Sequence, residues 1–246
     1  MKELERDLNE AEKPYVYNDG ERCDSLLYDE YHGVTKFLLP IFISNESLGH
    51  KWLRLTKSIN IKHLIGIEHK NTMILSYSLN PQKVANLFET CPQATIRKRI
   101  IAAAYAQNTG GYPSRVRIDP IIPTDNWKKL YKDFLIEMKE FDFIPDRFTL
   151  GTYRVLKGSK CMDKILDSEF VIPIAELEDV DECKKKRRLR IPIEKRIEKR
   201  IEIYSFIIEE IKNLFFNSKI GLCKETKALR DSLGFTDDDK ICNCTI

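Results

Sequence analysis

The sequence predicts an α/β fold built on a parallel sheet, and three observations carry that reading. Short apolar runs alternate with stretches of helical periodicity, the pattern of successive βα units. Hydrophobic residues make up 42% of the 246-residue chain and charged ones 32%, which supports a substantial core in one large or two small domains. No apolar run approaches the eighteen or so residues of a membrane span.

The elements follow in chain order. "PYVYN" (Pro14–Asn18) reads as the first strand, followed by the polar stretch "DGERCDSLLYDEYHG" and a helix over Thr35–Phe42. "KWLRLT" (Lys51–Thr56) is the second strand and "NIKHLIGIEH" the helix after it. "TMILSYSL" (Thr72–Leu79) is the third strand, with a helix beginning after Pro81, where proline suits a first turn. A long helix over Ala94–Gly111 closes on a glycine pair that suits a C-terminal cap. "SRVRID" (Ser114–Asp119), a helix over Trp127–Phe141 and "DRFTLGT" (Asp146–Thr152) complete the regular alternation.

After Gly158 the pattern changes, so two units are expected, 1–157 and 158–246. The second holds a basic run, "KKKRRLR" (Lys184–Arg190), and a long helix with Ile193, Ile197, Ile201, Ile208 and Ile211 on one face. A short strand, "SKIGLC" (Ser218–Cys223), and a helix over "KETKALRDSLGF" lead to the tail "KICNCTI".

A net charge of +3 does not by itself imply a polyanionic partner. The N-terminus is charged throughout, so no signal peptide is expected, and seven scattered cysteines fit a reducing cytoplasm. His32, His50, His63 and His69 show no ligand spacing and are expected at packing or surface positions, while Trp52, Trp127, Tyr131 and the phenylalanines are expected in the core.

In parallel sheets the chemistry lies beyond the C-terminal ends of the strands. Those ends offer Asp19, Glu21, Cys23 and Asp24; Lys57 and Ser58; Ser78 and Asn80; Asp119; and Thr152 with Arg154. Such a mouth suits a zwitterion, with Lys57 on a carboxylate and Glu21 or Asp24 on an ammonium.

Seven collinear pieces carry a family resemblance: "GERCDSL", "LRLTKSINIKHLI", "ILSYSLNPQKVANLFE", "RKRIIAAAYAQNTGGYPSRVRIDPII", "NWKKLYKDF", "TLGTYR" and "IGLCKET". In order and spacing the chain resembles spore photoproduct lyase-like proteins of the radical S-adenosylmethionine superfamily. The resemblance implies a partial parallel (β/α)6 barrel with a C-terminal helical extension, binding S-adenosylmethionine and a [4Fe–4S] cluster at its mouth and acting on DNA. Carried over by position, Glu21 and Asp24 become candidates for the cofactor's amino group and Lys57 for its carboxylate. Ser78 and Asn80 become further cofactor contacts, and Cys23, one residue from the expected place, a hydrogen-donor cysteine.

The family's cluster motif is C-x3-C-x2-C after the first strand, where three thiolates leave one iron open. Cys23, Cys91, Cys161, Cys183, Cys223, Cys242 and Cys244 contain no such triplet. The resemblance starts at the family's second strand, so the first strand and its cysteine loop are expected to be missing, with "KELERDLNEAEK" a remnant of the helix between. Three readings follow: a truncated chain that is not catalytic alone, a subunit completed by a polypeptide carrying the cysteine loop, or a nucleic-acid- or nucleotide-binding remnant without the chemistry. Cys223, Cys242 and Cys244 are further candidates for an auxiliary iron–sulfur or zinc site, with Cys183 as a fourth ligand. The basic run is expected to be a solvated helix entrance, with a phosphate-tracking role as its alternative.

Overall fold

The structure is a computed structural model that describes residues 2–20, 23–89, 94–152, 194–223, 225–236 and 242–246, with side chains of the long helix described from residue 198 onward. Six strands form one sheet: β1 (Val16–Asn18), β2 (Lys51–Thr56), β3 (Met73–Ser78), β4 (Ser114–Ile121), β5 (Arg147–Thr152) and β6 (Lys219–Leu222). Their order in space is their order in sequence, and every pairing is parallel. Right-handed crossovers that always step to the next strand place the connecting helices on one face. The sheet therefore curls into a half-barrel with helices outside, the partial barrel expected.

The helices are α1 (Lys2–Glu10), α2 (Asp29–His32), α3 (Val34–Ser44), α4 (Gln82–Phe88), α5 (Ile96–Asn108), α6 (Trp127–Glu140), α7 (Glu194–Leu214) and α8 (Lys227–Ser232). All six strands lie where the apolar runs place them. The segment "NIKHLIGIEH" does not form the expected helix; it holds a single 3-10 turn over Lys62–Leu64. Two local causes act against the helix. Gly66 takes a left-handed φ of 83°, and side-chain oxygens of Thr56 and Ser58 capture the backbone N–H groups of Ser58 and Asn60.

Strand alternation sorts the side chains onto two faces. Trp52, Leu75, Tyr77, Val116, Ile118, Phe148, Leu150 and Leu222 are buried under the helices. Each such side chain contributes about 1.5–3 kcal/mol of burial free energy. Trp52 stacks on Phe42 of α3 with ring centroids 5.5 Å apart. Helix α7 inserts Ile203, Tyr204, Ile207 and Ile211 at helical spacing, and its outer edge pairs with α6 through Lys128–Glu202 and Lys132–Glu210. Residues beyond 158 thus supply both a strand of the sheet and a helix packed on α6.

The opposite face lines the barrel interior. Ser76, Arg115 and Arg147 stand side by side there in one row across β3, β4 and β5. Among the described residues no helix is long and apolar enough to cross a membrane.

Candidate functional site

The loop after β1 crosses the C-terminal end of β2 at close range. Ser25 donates to the Leu55 carbonyl at 3.1 Å, and a Cβ on Gly20 would meet the Leu55 Cβ and carbonyl oxygen at 2.6 Å. Only glycine allows that approach. Asp24 then staples the loop: Oδ1 accepts from Leu26 N (2.9 Å), Leu27 N (3.0 Å) and Thr56 Oγ1 (2.7 Å), and Oδ2 from Lys57 N (2.6 Å). Oδ2, with a single donor, retains a second acceptor position.

A cavity of about 290 Å³ opens at this crossing, lined by Gly20, Cys23, Asp24, Leu55, Thr56, Lys57 and Ser78. It lies beyond the C-terminal ends of β1, β2 and β3, where a parallel sheet presents its ligands. Its volume is at the lower end of the roughly 300–1,000 Å³ of small-molecule sites. Four of the expected site residues, Cys23, Asp24, Lys57 and Ser78, meet in it. Cys23 is exposed, with its thiol 3.9 Å from the Asp19 carbonyl. Glu21 lies outside the described residues. Asn80 faces elsewhere: it donates to the Pro120 carbonyl at 3.3 Å and accepts from the Tyr131 hydroxyl at 3.0 Å, tying the end of β3 to that of β4.

Lys57 does not hang free at the mouth. Its Nζ donates to Glu89 Oε1 at 2.8 Å, and Arg99, 1% exposed, grips both oxygens of Glu89 at 3.1 and 2.6 Å. Burial alone would raise the Glu89 carboxyl, but the hydrogen bonds from Arg99 and Lys57 hold it below the usual carboxylate range.

Two polar clusters beside the mouth escape sequence reasoning. Arg54, 1% exposed beneath α3, donates to Thr35 Oγ1 at 2.6 Å, to the Ser25 carbonyl and to Asp29 Oδ1 at 3.3 Å. Its Nε also lies 2.9 Å from Asp19 Oδ2, an ion pair that is out of line for a hydrogen bond. Asp29 further accepts from Thr35 and sits 2.8 Å from His63 Nε2. Burial pushes Asp29 up, yet Thr35, Arg54 and His63 together hold it down; Asp19, where burial outweighs Arg54, is raised. At the far side, Glu225 is buried against Arg200, the Tyr204 hydroxyl (2.6 Å) and Thr152 Oγ1 (3.3 Å). A lone arginine in the apolar run "KWLRLT" is the signal that could have revealed the first cluster.

The C-terminal cysteines are not where a shared metal would need them. Arg115 donates to the carbonyls of Asn243 (2.6 Å) and Thr245 (2.8 Å), and Arg147 to those of Cys242 (2.7 Å), Thr245 (2.7 Å) and Ile246 (3.0 Å). The tail is thereby held at the N-terminal ends of β4 and β5. Cys223 follows the C-terminal end of β6, four residues along the ladder from the Arg147–Lys219 pair, about 13 Å away along the strand. Zinc or cluster sulfurs lie within roughly 4 Å of each other. The expected Cys223–Cys242–Cys244 site is therefore not assembled, and Cys183 lies outside the described residues. No group of three histidine, cysteine or acidic residues among the described ones is placed to hold a metal. That donor set does not fit a [4Fe–4S] cluster at the mouth, where among the described residues Cys23 is the one lining thiol.

Fold and site together define a half-barrel α/β protein with a polar-lined cavity at the C-terminal ends of its first three strands. The chain belongs to the spore photoproduct lyase family, whose model matches residues 24–223, and with it to the radical S-adenosylmethionine superfamily. It is 27% identical over 213 residues to spore photoproduct lyase of Clostridium acetobutylicum, covering 82% of this chain and 58% of that protein. The chain thus spans little more than half of its relative. A solved spore photoproduct lyase complexed with dinucleoside spore photoproduct superposes with a TM-score of 0.70 at 17% identity, over 90% of this chain and 65% of that one. A mutant with bound AdoMet and the same dinucleoside gives a TM-score of 0.70 at 15% identity, over 89% and 64%. At such identities the likeness establishes the fold.

Proposed function

We propose that this chain forms the cofactor- and substrate-facing part of a spore photoproduct lyase-type barrel that acts on a nucleic-acid lesion, and that it is not catalytic with its own thiols alone. The observation that carries the reading is the cavity in which Cys23, Asp24, Lys57 and Ser78 converge beyond the strand ends. Lys57 would hold the carboxylate of S-adenosylmethionine, and Ser78 would add a hydroxyl contact. The remaining Oδ2 position of Asp24, with Glu21, would receive the amino group. S-adenosylmethionine is the source of the radical in this superfamily.

Asp24 orients the mouth by fixing Lys57 N, and Glu89 restrains the Lys57 ammonium without neutralising its capacity for a second partner, since an ammonium has three donors. Cys23, exposed at the rim, is the candidate hydrogen donor. Because the donor set does not fit the cluster, its thiolates would come from outside this sequence, for example from a polypeptide carrying the C-x3-C-x2-C segment. The same mismatch favours a second reading, a nucleotide- or nucleic-acid-binding protein without radical chemistry.

Anaerobic reconstitution with iron and sulfide separates the readings. The chain alone is expected to develop no cluster absorption and to leave S-adenosylmethionine intact, and a supplied polypeptide with the cysteine triplet to restore both. Cofactor cleavage by the chain alone would overturn the proposal. No restoration by the supplied segment, together with retained nucleotide binding, selects the second reading.

A further inference from the structure

The tail offers a second chemical site, at the opposite end of the sheet from the mouth. Residues 242–245 form a turn, with Thr245 N donating to the Cys242 carbonyl at 3.2 Å and Cys242 N to Thr245 Oγ1 at 3.1 Å. Within it the Cys244 N–H donates to Cys242 Sγ at 3.3 Å. Asn243, 2% exposed, is pinned to Ser76 at 2.8 Å, so the residue between the two cysteines is fixed in the barrel floor while Cys244 is exposed. Five carbonyl contacts from Arg115 and Arg147 hold this backbone and bring two guanidinium groups to the turn. In a turn, positions i and i+2 bring their Cα atoms within the roughly 4.4–6.8 Å that a disulfide spans.

We propose that Cys242 and Cys244 form a redox-active dithiol that exchanges with low-molecular-weight disulfides and cycles between two thiols and one disulfide within the turn. In the oxidising direction the Cys242 thiolate attacks one sulfur of R–S–S–R. A mixed disulfide, Cys242 Sγ–S–R, forms as the S–S bond of the small disulfide breaks, and the departing R–S⁻ takes a proton from solvent. Cys244, after giving its proton to solvent, attacks the Cys242 sulfur and expels the second R–S⁻. Two electrons pass from the protein thiols to the small disulfide, which leaves as two thiols. The features that suit Cys242 to attack are local. The Cys244 thiol hydrogen-bonds to it and, against the opposing effect of burial, the Cys244 N–H, Arg147 and Arg115 favour its thiolate, lowering the thiol to about 6. Exposed Cys244 is the resolving partner. This site is independent of cofactor binding at the mouth.

The test uses the full chain, glutathione disulfide as the probe, an iodoacetamide quench, and mass analysis of the tryptic peptide Ile241–Ile246. The wild type is expected to yield that peptide short of two hydrogens and unalkylated. Cys244→Ser is expected to trap one glutathione on Cys242, released by dithiothreitol and formed about threefold faster at pH 7 than on Cys23 in the same sample. Recovery of the wild-type peptide with both cysteines alkylated overturns the proposal. So does a Cys244→Ser protein whose Cys242 reacts no faster than Cys23.

Discussion

Lys57 donates to Glu89 across 2.8 Å, and Glu89 is clamped in turn by the buried guanidinium of Arg99. The ammonium at the mouth is therefore aimed from behind by a carboxylate on the loop after α4. Removing the Glu89 charge leaves Arg99 buried without its counter-ion, so Glu89→Gln is expected to destabilise the fold by about 2–3 kcal/mol.

The same pair makes that loss depend on pH. The folded-state pKa of Glu89 is depressed, so its stabilisation is complete above the unfolded value near about 4.3 and fades as pH falls through the lower folded value. The stability gap between wild type and Glu89→Gln, read from urea midpoints, is expected to be constant from neutrality to about pH 5 and to narrow as pH falls further. A gap that widens on acidification would contradict the assignment.

Arg54 supports the mouth from the helix side, and its truncation strands several acceptors at once. Arg54→Ala is expected to cost about 3–5 kcal/mol, because Asp29 remains as a buried charge. The double change Arg54→Met/Asp29→Leu removes both charges and should recover part of that loss in denaturant titration. Equal loss in single and double variants would show that shape, not charge, dominates there.

Asp24 is expected to act as an organiser of the site. Asp24→Ala removes the acceptor of the Leu26, Leu27 and Lys57 N–H groups, and their amide exchange should accelerate about tenfold or more while the core strand β3 stays protected. Unchanged exchange at Lys57 N would remove the staple from the account.

Much of this was legible in the sequence. The six strands could be read because a buried parallel strand is a short apolar run between turn residues, and "KWLRLT" coincides with β2 residue for residue. The helix expected over "NIKHLIGIEH" failed because its apolar spacing ignores the left-handed Gly66 and the competing Thr56 and Ser58 side chains. The cavity was visible as a set of strand ends, but Asn80 shares that set and points to Tyr131, since rotamer direction at a strand end is decided by tertiary partners. The Arg54 cluster joins residues 19 to 35 positions apart, and the tail in the barrel floor residues 95 to 167 positions apart, beyond any local pattern.

Among the described residues β1 ends the sheet with β2 as its single strand neighbour, and it is three residues long. Its outer backbone groups are a template for another strand. A polypeptide carrying the family's first βα unit is expected to slow amide exchange across Val16–Asn18, and the chain without it to self-associate with rising concentration in light scattering. A monodisperse chain whose Val16–Asn18 amides are already protected would show that this edge is covered in another way.

The most direct test of the central claim is calorimetric titration of S-adenosylmethionine into the cluster-free chain and its Lys57→Ala variant. Without two metal bonds to the amino and carboxylate groups, the wild type is expected to bind with Kd nearer millimolar than micromolar, a difference of about 4 kcal/mol, and the variant more weakly still. No heat from the wild type at millimolar cofactor, or identical affinity in Lys57→Ala, would contradict the assignment of the cavity beyond β1, β2 and β3 as the cofactor site.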